Sequence, residues 1–405
     1  MQASTYPLVD ADEALAVVLE RTPVLAAEEV PLAQAWGRVL AEDLVATYQL
    51  PPFPASAVDG YAIRAADGGG RLRVAGESAA GRPFPGPLPE RAAVRILTGA
   101  VVPPGADSVV MVEETREEGG EVLVPEGFPA GRNLHRPGED LRPGELVAPR
   151  GEPLGPAELG LAAALGISRL RVHRRPRAAL LSTGDELVEV GETPGPGQIV
   201  DSNRWALLAA LREAGAEVTV LGIAPDDPEA LRRLVVEALR DHDLLVTSGG
   251  VSVGTRDLVK PLLESLGQVH LGRVKLKPGK PFTFATLPEG RLAFGLPGFP
   301  VSSLVTFEVF VRPALRKLQG YRQLHRPTLP VRLGFAAGAS GDRTEYQRVT
   351  LRRVGGELVA ETTGSQSSSR LMSLVGAHAL IRVPPGDRGL PAGTVVEALI
   401  LSLPG

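Results

Sequence analysis

The chain of 405 residues contains no cysteine. This absence excludes disulfide bonds, thiolate zinc sites and cysteine nucleophiles. No apolar run reaches about 18 residues, the length that a membrane-spanning helix needs. The N-terminal stretch MQASTYPLVD has neither the basic nor the apolar region of a signal peptide. Together these features predict a cytoplasmic protein without membrane contact.

Two common phosphate-binding fingerprints are also missing. The sequence has no G-x-x-x-x-G-K-[ST], which excludes a P-loop nucleotidase, and no G-x-G-x-x-G between a strand and a helix, which disfavours a dinucleotide site. A formal net charge of −4 gives no indication of the basic surface that nucleic-acid binding requires. The histidines show no metal-ligand spacing, and we interpret them as surface or packing residues. They are His135, His173, His242, His270, His325 and His378.

Lysine is scarce. Of 43 basic residues only 5 are Lys, and Lys275, Lys277 and Lys280 fall within six positions. Lys carries a compact point charge on a flexible stem, whereas Arg presents a planar fork. The cluster therefore indicates an anion-binding segment, and the alternatives are chance clustering or a solvated strand edge.

A length of 405 residues and a hydrophobic content of 43% predict about two to four packed domains. Residues 10–20 should form an amphipathic helix, capped by Asp10 with Glu13 three residues later. PPFP at 51–54 should open a loop, SAVDGYAI. From 70 to 150, short apolar runs separated by Gly and Pro turns predict a β-rich domain.

The period changes near residue 176, where strands and helices begin to alternate. The predicted strands are 178–182, 217–223, 243–247, 270–277, 282–286 and 291–296, and the predicted helices are 203–214, 228–240, 256–267 and 301–318. This alternation predicts βαβ units and a mostly parallel sheet, whose carboxyl ends should meet at one edge. After residue 327 the sequence is β-rich again.

Five of these strands end in turns rich in Gly, Pro, carboxylate or Lys. The turns are 183–186, 225–227, 247–257, 277–280 and 297–300. Because ligands of open α/β sheets bind outside the carboxyl ends of the strands, five such turns predict a site at that edge.

The predicted site mixes binders of anions and cations. Backbone N–H groups in glycine turns hold phosphate, and Lys277 and Lys280 can neutralise it. Glu186, Asp226 and Asp257 are oxygen donors without histidine support, which suits Mg²⁺ better than Zn²⁺. The alternatives are a helix N-cap for Asp226 and a first-turn helix position for Asp257.

The stretch TSGGVSVGTRD at 247–257 contains a literal G-x-S-x-G, the spacing of a hydrolase nucleophile elbow. In an elbow the serine sits directly between strand and helix. Here the predicted strand ends five residues before Ser252, which places the serine in the middle of a loop. We therefore interpret Gly249 and Gly250 as a turn whose backbone approaches a phosphate, and Ser252 as a loop residue.

These residues resemble the molybdopterin molybdotransferases, the MoeA-type enzymes related to the gephyrin E domain. Ten motifs in family order carry the resemblance along almost the whole chain. They are PPFPASAVDGYA (51–62), RILTGAVVPPGADSVVMVEE (95–114), RPGEDL (136–141), LSTGDEL (181–187), GQIVDSN (197–203), DDP (226–228), TSGGVSVGTRD (247–257), LKPGKPFTFA (276–285), GLPGFPVSS (295–303) and GSQSSSRLMSL (364–374).

The resemblance implies a multidomain α/β plus β protein and a homodimer. It implies a discontinuous N-terminal domain (1–44 and 141–175), an inserted β-rich domain (45–140), a parallel-sheet α/β domain similar to that of the molybdopterin adenylyltransferases (176–325) and a C-terminal β-barrel-like domain (326–405). The site would lie between the α/β domain of one subunit and the inserted domain of the other.

The resemblance also assigns roles to individual residues. It implies catalytic roles for Asp59, Glu186, Asp226, Asp257, Lys277 and Lys280, with Glu186, Asp226 and Asp257 as metal ligands. It implies substrate binding by Thr98, Pro297, Pro300, Arg348, Ser368 and Ser369. To these we add Gly249, Gly250 and Ser252 of the glycine turn as substrate-binding candidates.

The implied reaction takes adenylylated molybdopterin and molybdate, inserts molybdenum and releases AMP with Mg²⁺. A transfer contact with a molybdopterin adenylyltransferase would supply the substrate. Two other functions stay open at this point. The α/β segment alone could serve a molybdopterin adenylyltransferase, and the relationship to gephyrin allows a non-catalytic scaffold.

Overall fold

A computed structural model describes residues 6–224, 227–251 and 258–403 of the chain. Three of the predicted site residues, Asp226, Ser252 and Asp257, lie outside the described residues. The described chain contains four regions, and each has its own hydrophobic clusters.

The first elements do not all belong to one region. They are β1 (Val9–Asp10), α1 (Ala11–Arg21), β2 (Ala27–Pro31), a 3-10 turn (Leu32–Gln34) and β3 (Leu44–Val45). The helix predicted over 10–20 is confirmed as α1. It buries Ala14 and Val18 in the core of the α/β region, whereas the segment that follows it packs elsewhere.

The predicted cap of α1 is wrong. Asp10 occupies the position before the helix, but its side chain makes no capping hydrogen bond. Its carboxylate lies 3.3 Å from Nζ of Lys275 instead. Strand β1 runs parallel beside residues 274 and 275, so a tertiary contact takes the carboxylate that the local pattern offered to the helix.

The inserted β-rich region comes next. Its elements are β4 (Ala55–Ser56), β5 (Gly60–Ile63), β6 (Arg71–Ser78), β7 (Ala92–Ile96), β8 (Ser108–Met111), β9 (Arg116–Glu118), β10 (Glu121–Leu123) and β11 (Leu134–His135), with 3-10 turns at Ala65–Asp67 and Val112–Glu114. Strands β5 to β10 form a sheet in the order β8-β5-β7-β6-β10-β9. The stretch SAVDGYAI is a strand in part, not the predicted loop, because Tyr61, Ala62 and Ile63 are buried in this region's cores.

The chain then returns to the N-terminal region through β12 (Leu146–Ala148), α2 (Pro156–Ala164) and β13 (Arg169–His173). Strand β13 pairs antiparallel with β2, and β12 pairs antiparallel with β3. A shared core contains Val30, Leu40, Leu154 and Val172. This small domain is therefore assembled from segments on both sides of the insertion.

The α/β region follows the predicted alternation of strands and helices. Its elements are β14 (Arg177–Thr183), β15 (Leu187–Val188), β16 (Ile199–Val200), α3 (Asn203–Glu213), β17 (Glu217–Ala224), α4 (Pro228–Ala238), β18 (Leu244–Ser248), α5 (Val259–Leu266), β19 (Gln268–Lys277), β20 (Pro281–Thr286), a 3-10 turn (Pro288–Gly290), β21 (Leu292–Leu296), α6 (Pro300–Thr306), a π-helical turn (Phe307–Val311) and α7 (Arg312–Leu318).

The sheet of this region has the order β17-β14-β18-β21-β20-β19. The first four strands are parallel. Strand β20 is antiparallel to both β21 and β19. Two reversals restore the direction, so β19 ends at the same edge as β14, β17, β18 and β21. The five predicted turns therefore follow strands that end at one edge.

Both faces of the sheet are covered, which explains the nearly continuous apolar strands. Ala178 and Leu180 point to a core that includes α1, α3, α6 and α7. Ala179 and Leu181, which alternate with them, point to the core beneath α4 and α5. Strands β14 and β18 carry their buried polar residues only at the carboxyl edge.

The C-terminal region is a closed five-stranded barrel. Its strands are β22 (Thr328–Leu333), β23 (Thr344–Val354), β24 (Glu357–Thr362), β25 (Ala379–Val383) and β26 (Val395–Ile400), with a 3-10 turn at Leu371–Ser373. Each strand pairs with two others around the barrel. The barrel also continues the α/β sheet, because β19 pairs parallel with β23 through Leu276–Thr344 and Lys277–Glu345.

An ion pair fastens the linker after β13 to the α/β sheet. The guanidinium of Arg174 donates to both carboxylate oxygens of Asp243, at 2.6 and 2.5 Å, and Arg177 N donates to the same carboxylate at 2.8 Å. Burial opposes ionisation of Asp243, but these bonds outweigh it and lower the pKa of the carboxyl.

We expect Asp243→Asn to lower the free energy of unfolding at pH 7 by about 2 kcal/mol, the cost of losing charge-assisted bonds at a partly buried site. A depressed pKa stabilises the fold above the unfolded value of about 4 and loses this effect as pH falls through the folded value. The difference from the wild type should therefore shrink below about pH 4. Urea unfolding across pH tests this, with exposed Asp241→Asn as the control, and an equal loss at all pH values would contradict it.

Candidate active site

Two loops at the carboxyl edge are tied together by one side chain. The amide nitrogen of Asn203, at the start of α3, donates to Ser248 Oγ at 2.9 Å and to the Gly298 carbonyl at 2.6 Å. Because a carbonyl can only accept, the Gly298 contact fixes which end of the amide faces the loops. The ends of β18 and β21 are therefore held at a set separation.

The glycine turn after β18 packs directly on the end of β14. Gly249 and Gly250 have φ of +88° and +67°, a conformation that favours glycine. A Cβ on Gly249 would lie 2.5 Å from the Thr183 carbonyl oxygen, and one on Gly250 would lie 2.7 Å from Thr183 Oγ1. The N–H of Gly249 already donates to the Leu296 carbonyl at 3.1 Å, so this donor is not free for an anion.

A layer of buried polar groups lies at the same edge. These atoms have no hydrogen-bond partner in the described part of the chain: Ser182 Oγ, Thr183 Oγ1, Asn203 Oδ1, Thr247 Oγ1 and Thr283 Oγ1. An unsatisfied buried polar group costs about 1–3 kcal/mol, and native proteins keep few of them. Their concentration is typical of a site that a ligand or water completes. Sequence reasoning missed this layer, although the polar ends of apolar strands are its signal.

The two predicted lysines differ in their surroundings. Lys277 ends β19, and its Nζ lies 3.2 Å from Oε1 of buried Glu345 in the barrel. Lys280 is exposed and forms no ion pair with any described residue. Lys277 is therefore a fixed cation, and Lys280 is a cation available to a ligand.

Arg348, on β23, is fully buried. Its Nε donates to Ser373 Oγ at 3.1 Å and its Nη2 to the Ser367 carbonyl at 3.2 Å, but Nη1 has no partner among the described residues. Burial lowers the pKa of Arg348 to about 10, and the guanidinium stays charged at neutral pH. A buried cation with a spare donor is suited to an anion.

The barrel and the α/β region meet at the start of α6. Val301 N donates to the Ser368 carbonyl at 3.1 Å. Pro300 begins α6, and the Pro297 carbonyl accepts a bond from the Ser303 hydroxyl. Ser369 Oγ lies 3.0 Å from Ser367 Oγ in the same barrel loop. The Val301–Ser368 bond therefore places the serine loop of the barrel against the start of α6, which Pro300 begins.

Asp59 and Thr98 form a second group, in the inserted region. The Oδ1 atom of Asp59 accepts from Thr98 N and from Thr98 Oγ1, each at 2.7 Å. The backbone bond and then the hydroxyl bond lower the pKa of the Asp59 carboxyl. Within the described residues, no hydrogen bond or ion pair joins region 51–135 to the α/β strand ends.

One of the three predicted metal ligands is described. Glu186 is exposed on the turn after β14, and no ion pair engages it within the described chain. The nearby cap of α4 is Asp227, whose Oδ1 accepts from Ala230 N at 2.6 Å. The capping role considered for Asp226 thus belongs to its neighbour. Among residues 6–224, 227–251 and 258–403, no three His, Asp or Glu side chains are grouped to hold a metal ion.

Three of the histidines make hydrogen bonds within the fold. His173 Nδ1 lies 2.8 Å from the Leu25 carbonyl, and His270 Nε2 lies 2.8 Å from Thr286 Oγ1. His378 Nδ1 accepts from Leu351 N at 2.9 Å.

In the described part of the chain, no helix is long and apolar enough to cross a membrane.

Family models match three parts of the chain. The MoeA N-terminal region (domain I and II) matches residues 9–166, a probable molybdopterin binding domain matches residues 179–317, and the MoeA C-terminal region (domain IV) matches residues 330–401. The strand edge described above thus belongs to a domain of the molybdopterin-binding class.

Full-length relatives agree with these models. The molybdopterin molybdenumtransferase of Haemophilus influenzae is 38% identical over 395 residues, which are 95% of this chain and 96% of that protein. Gephyrin of Dictyostelium discoideum is 37% identical over 99% of this chain, but the chain spans only 63% of gephyrin. The crystal structure of a molybdopterin biosynthesis MoeA protein from Pyrococcus horikosii has a TM-score of 0.82 at 33% identity and covers 97% of this chain and 99% of that one. The chain belongs to the MoeA family of molybdopterin molybdenumtransferases.

The packing of the glycine turn gives a stability prediction. We expect Gly249→Ala to cost about 3 kcal/mol, because it combines a left-handed backbone with a clash against the Thr183 carbonyl. Gly298→Ala, in the neighbouring loop, is the matched control, since its Cβ would meet nothing within 4 Å. Urea unfolding followed by circular dichroism measures both, and equal stability of the two variants would contradict the packing argument.

Proposed function

We propose that this protein inserts molybdenum from molybdate into adenylylated molybdopterin and releases AMP. The observation that carries the proposal is the group of cations at the strand edge of a probable molybdopterin binding domain. Lys280 is unpaired in the described chain, Arg348 has a spare buried donor, and Lys277 is held by Glu345 of the barrel.

The substrates require this kind of charge. Molybdate is a dianion, and the phosphates of adenylylated molybdopterin add further negative charge beside it. Fixed cations and oriented donors in a partly buried site stabilise such charge without having to reorganise during the reaction. Lys280 and Arg348 are therefore assigned to molybdate, and the buried hydroxyls of Thr183, Thr247 and Thr283 are donors for the second substrate.

Mg²⁺ is part of the proposal. Glu186 would hold it together with Asp226 and Asp257, and an exposed carboxylate at the end of a strand suits a hard cation that keeps several waters. A bound Mg²⁺ supplies charge neutralisation at a phosphate. The residues of the chain orient the two anions against each other, and no side chain needs to form a covalent intermediate.

We expect Lys280→Ala to keep the fold and to lower molybdate-dependent AMP release by about 100-fold, the usual effect of removing one preorganised charge. Lys275→Ala is the matched control, because Lys275 lies on the strand that leads into the turn of Lys280 but its ammonium pairs with Asp10. AMP release from adenylylated molybdopterin, with molybdate and Mg²⁺ varied separately, is the measurement.

The outcomes separate the competing functions. Turnover of Lys280→Ala at the wild-type rate would contradict the assignment of Lys280 to molybdate. Consumption of ATP with molybdopterin would favour an adenylyltransferase. Binding of a partner protein without AMP release would favour a scaffold of the gephyrin type.

We also propose a homodimer in which the site is shared. Support comes from the separation of the predicted residues, since Asp59 and Thr98 form one group and the strand-edge residues another. A neighbouring subunit would bring the first group to the second. The cytoplasmic location and the transfer contact with an adenylyltransferase stay predictions.

A shared site predicts complementation between two inactive variants. Co-expression of Asp59→Ala and Lys280→Ala chains in equal amounts should restore about a quarter of wild-type activity, since half of the dimers are mixed and each carries one intact site. Sedimentation measures the oligomer, and AMP release measures the recovery. No recovery in confirmed mixed dimers would mean that both groups act within one subunit.

A further inference from the structure

Glu345 is a buried carboxylate that no motif marks. It is the second residue of β23 and is 3% exposed. The strand register places it directly beside Lys277, at the end of β19. A buried charge is tolerated only when it is paired, so Glu345 must have a partner.

That partner is Lys277, whose Nζ lies 3.2 Å from Oε1 of Glu345. The Lys277 side chain is 39% exposed, so the pair sits at the rim of the site with the carboxylate on the protein side. The pair also crosses between two domains, because Lys277 belongs to the α/β sheet and Glu345 to the barrel. The orientation of the Lys277 ammonium thus depends on the barrel.

Glu345 also acts on a second cation. Arg348 follows three residues later on the same strand and is fully buried. Burial lowers the pKa of Arg348 to about 10, and the negative charge of Glu345 works against this shift. One carboxylate therefore lies within electrostatic reach of two of the cations assigned to the site.

We infer that Glu345 is a positioning residue: it holds the Lys277 ammonium in place and limits the positive charge that an incoming anion meets. This inference rests on the proposed function, because it concerns the binding of the same anion, molybdate. It leaves Lys280 as the cation that can move with substrate. A site with less net positive charge binds molybdate less tightly, but its fixed ammonium is correctly oriented for turnover.

The two effects of Glu345 oppose each other, which makes them measurable. In Glu345→Gln the shape of the side chain is kept and the negative charge is lost. Anion binding should then strengthen, because the cations are no longer offset. Turnover should slow, because the ammonium of Lys277 has lost the group that orients it. A residue with only a structural role would weaken binding and turnover together.

The experiment compares Glu345→Gln and Glu345→Asp with the wild type. Glu361→Gln is the control, since Glu361 is also on the barrel but pairs with Arg352 on its exposed surface. Molybdate binding is measured by calorimetry and AMP release by steady-state kinetics. We expect Glu345→Gln to bind molybdate about tenfold more tightly and to turn over about tenfold more slowly. Sulfate should inhibit this variant more strongly than the wild type.

Glu345→Asp keeps the charge and shortens the reach. It should bind molybdate as the wild type does and recover only part of the lost turnover. This variant also keeps the test decisive if the amide variant folds poorly. Circular dichroism of each variant confirms that the compared proteins are folded.

Unchanged molybdate affinity in folded Glu345→Gln would overturn the inference, and so would weaker binding accompanied only by lower stability. The proposed function fails separately. If the wild type binds molybdate but releases no AMP, the reaction assignment is wrong, while the comparison of affinities still tests Glu345.

Discussion

The site depends on the seam where strand β19 of the α/β sheet pairs with strand β23 of the barrel. Only two residue pairs form it, Leu276 with Thr344 and Lys277 with Glu345. The second of these pairs is also an ion pair, so the backbone pairing and the attraction between the two side chains support each other. Together with the bond from Val301 N to the Ser368 carbonyl, this seam sets the position of Arg348 and the serine loop relative to the strand ends. The candidate site therefore lies at the junction between two domains.

The strand order explains why this junction falls at the ligand edge. A purely parallel sheet would require a helical crossover between β21 and its next neighbour. Here β20 runs backwards between β21 and β19, and the tight turn at 277–280 carries two lysines to the edge where the parallel strands end. One antiparallel strand thus adds cations to an edge that otherwise offers glycine turns and hydroxyls. The positive charge at this edge therefore depends on the order of the strands as well as on the residues in the turn.

Much of this could be predicted from the sequence. The alternation of apolar strands and helices predicted the α/β region, because the central strands β14, β18 and β21 are buried on both faces. The first helix was predicted correctly, but its cap was not, since Lys275 competes for Asp10 across more than 260 residues of chain. The role of Glu345 could not be predicted from the sequence either, because its partner is also distant along the chain. Its local sequence, TEYQR, carries no motif, and only the register with β19 gives the carboxylate its partner. Local patterns specify elements, whereas long-range pairing specifies which charges meet.

The closed barrel has a mechanical consequence. Each strand of the closed barrel is hydrogen-bonded to two neighbours, so the strands are held together as one body. Glu345, Arg348 and the loop around Ser368 are all fixed to that body. A small rotation of the barrel about its two-residue seam would displace an acid, a base and a set of hydroxyls in a single movement. A substitution that changed how the barrel sits on the sheet would therefore shift all of these groups together, even if it lay far from any bound molecule.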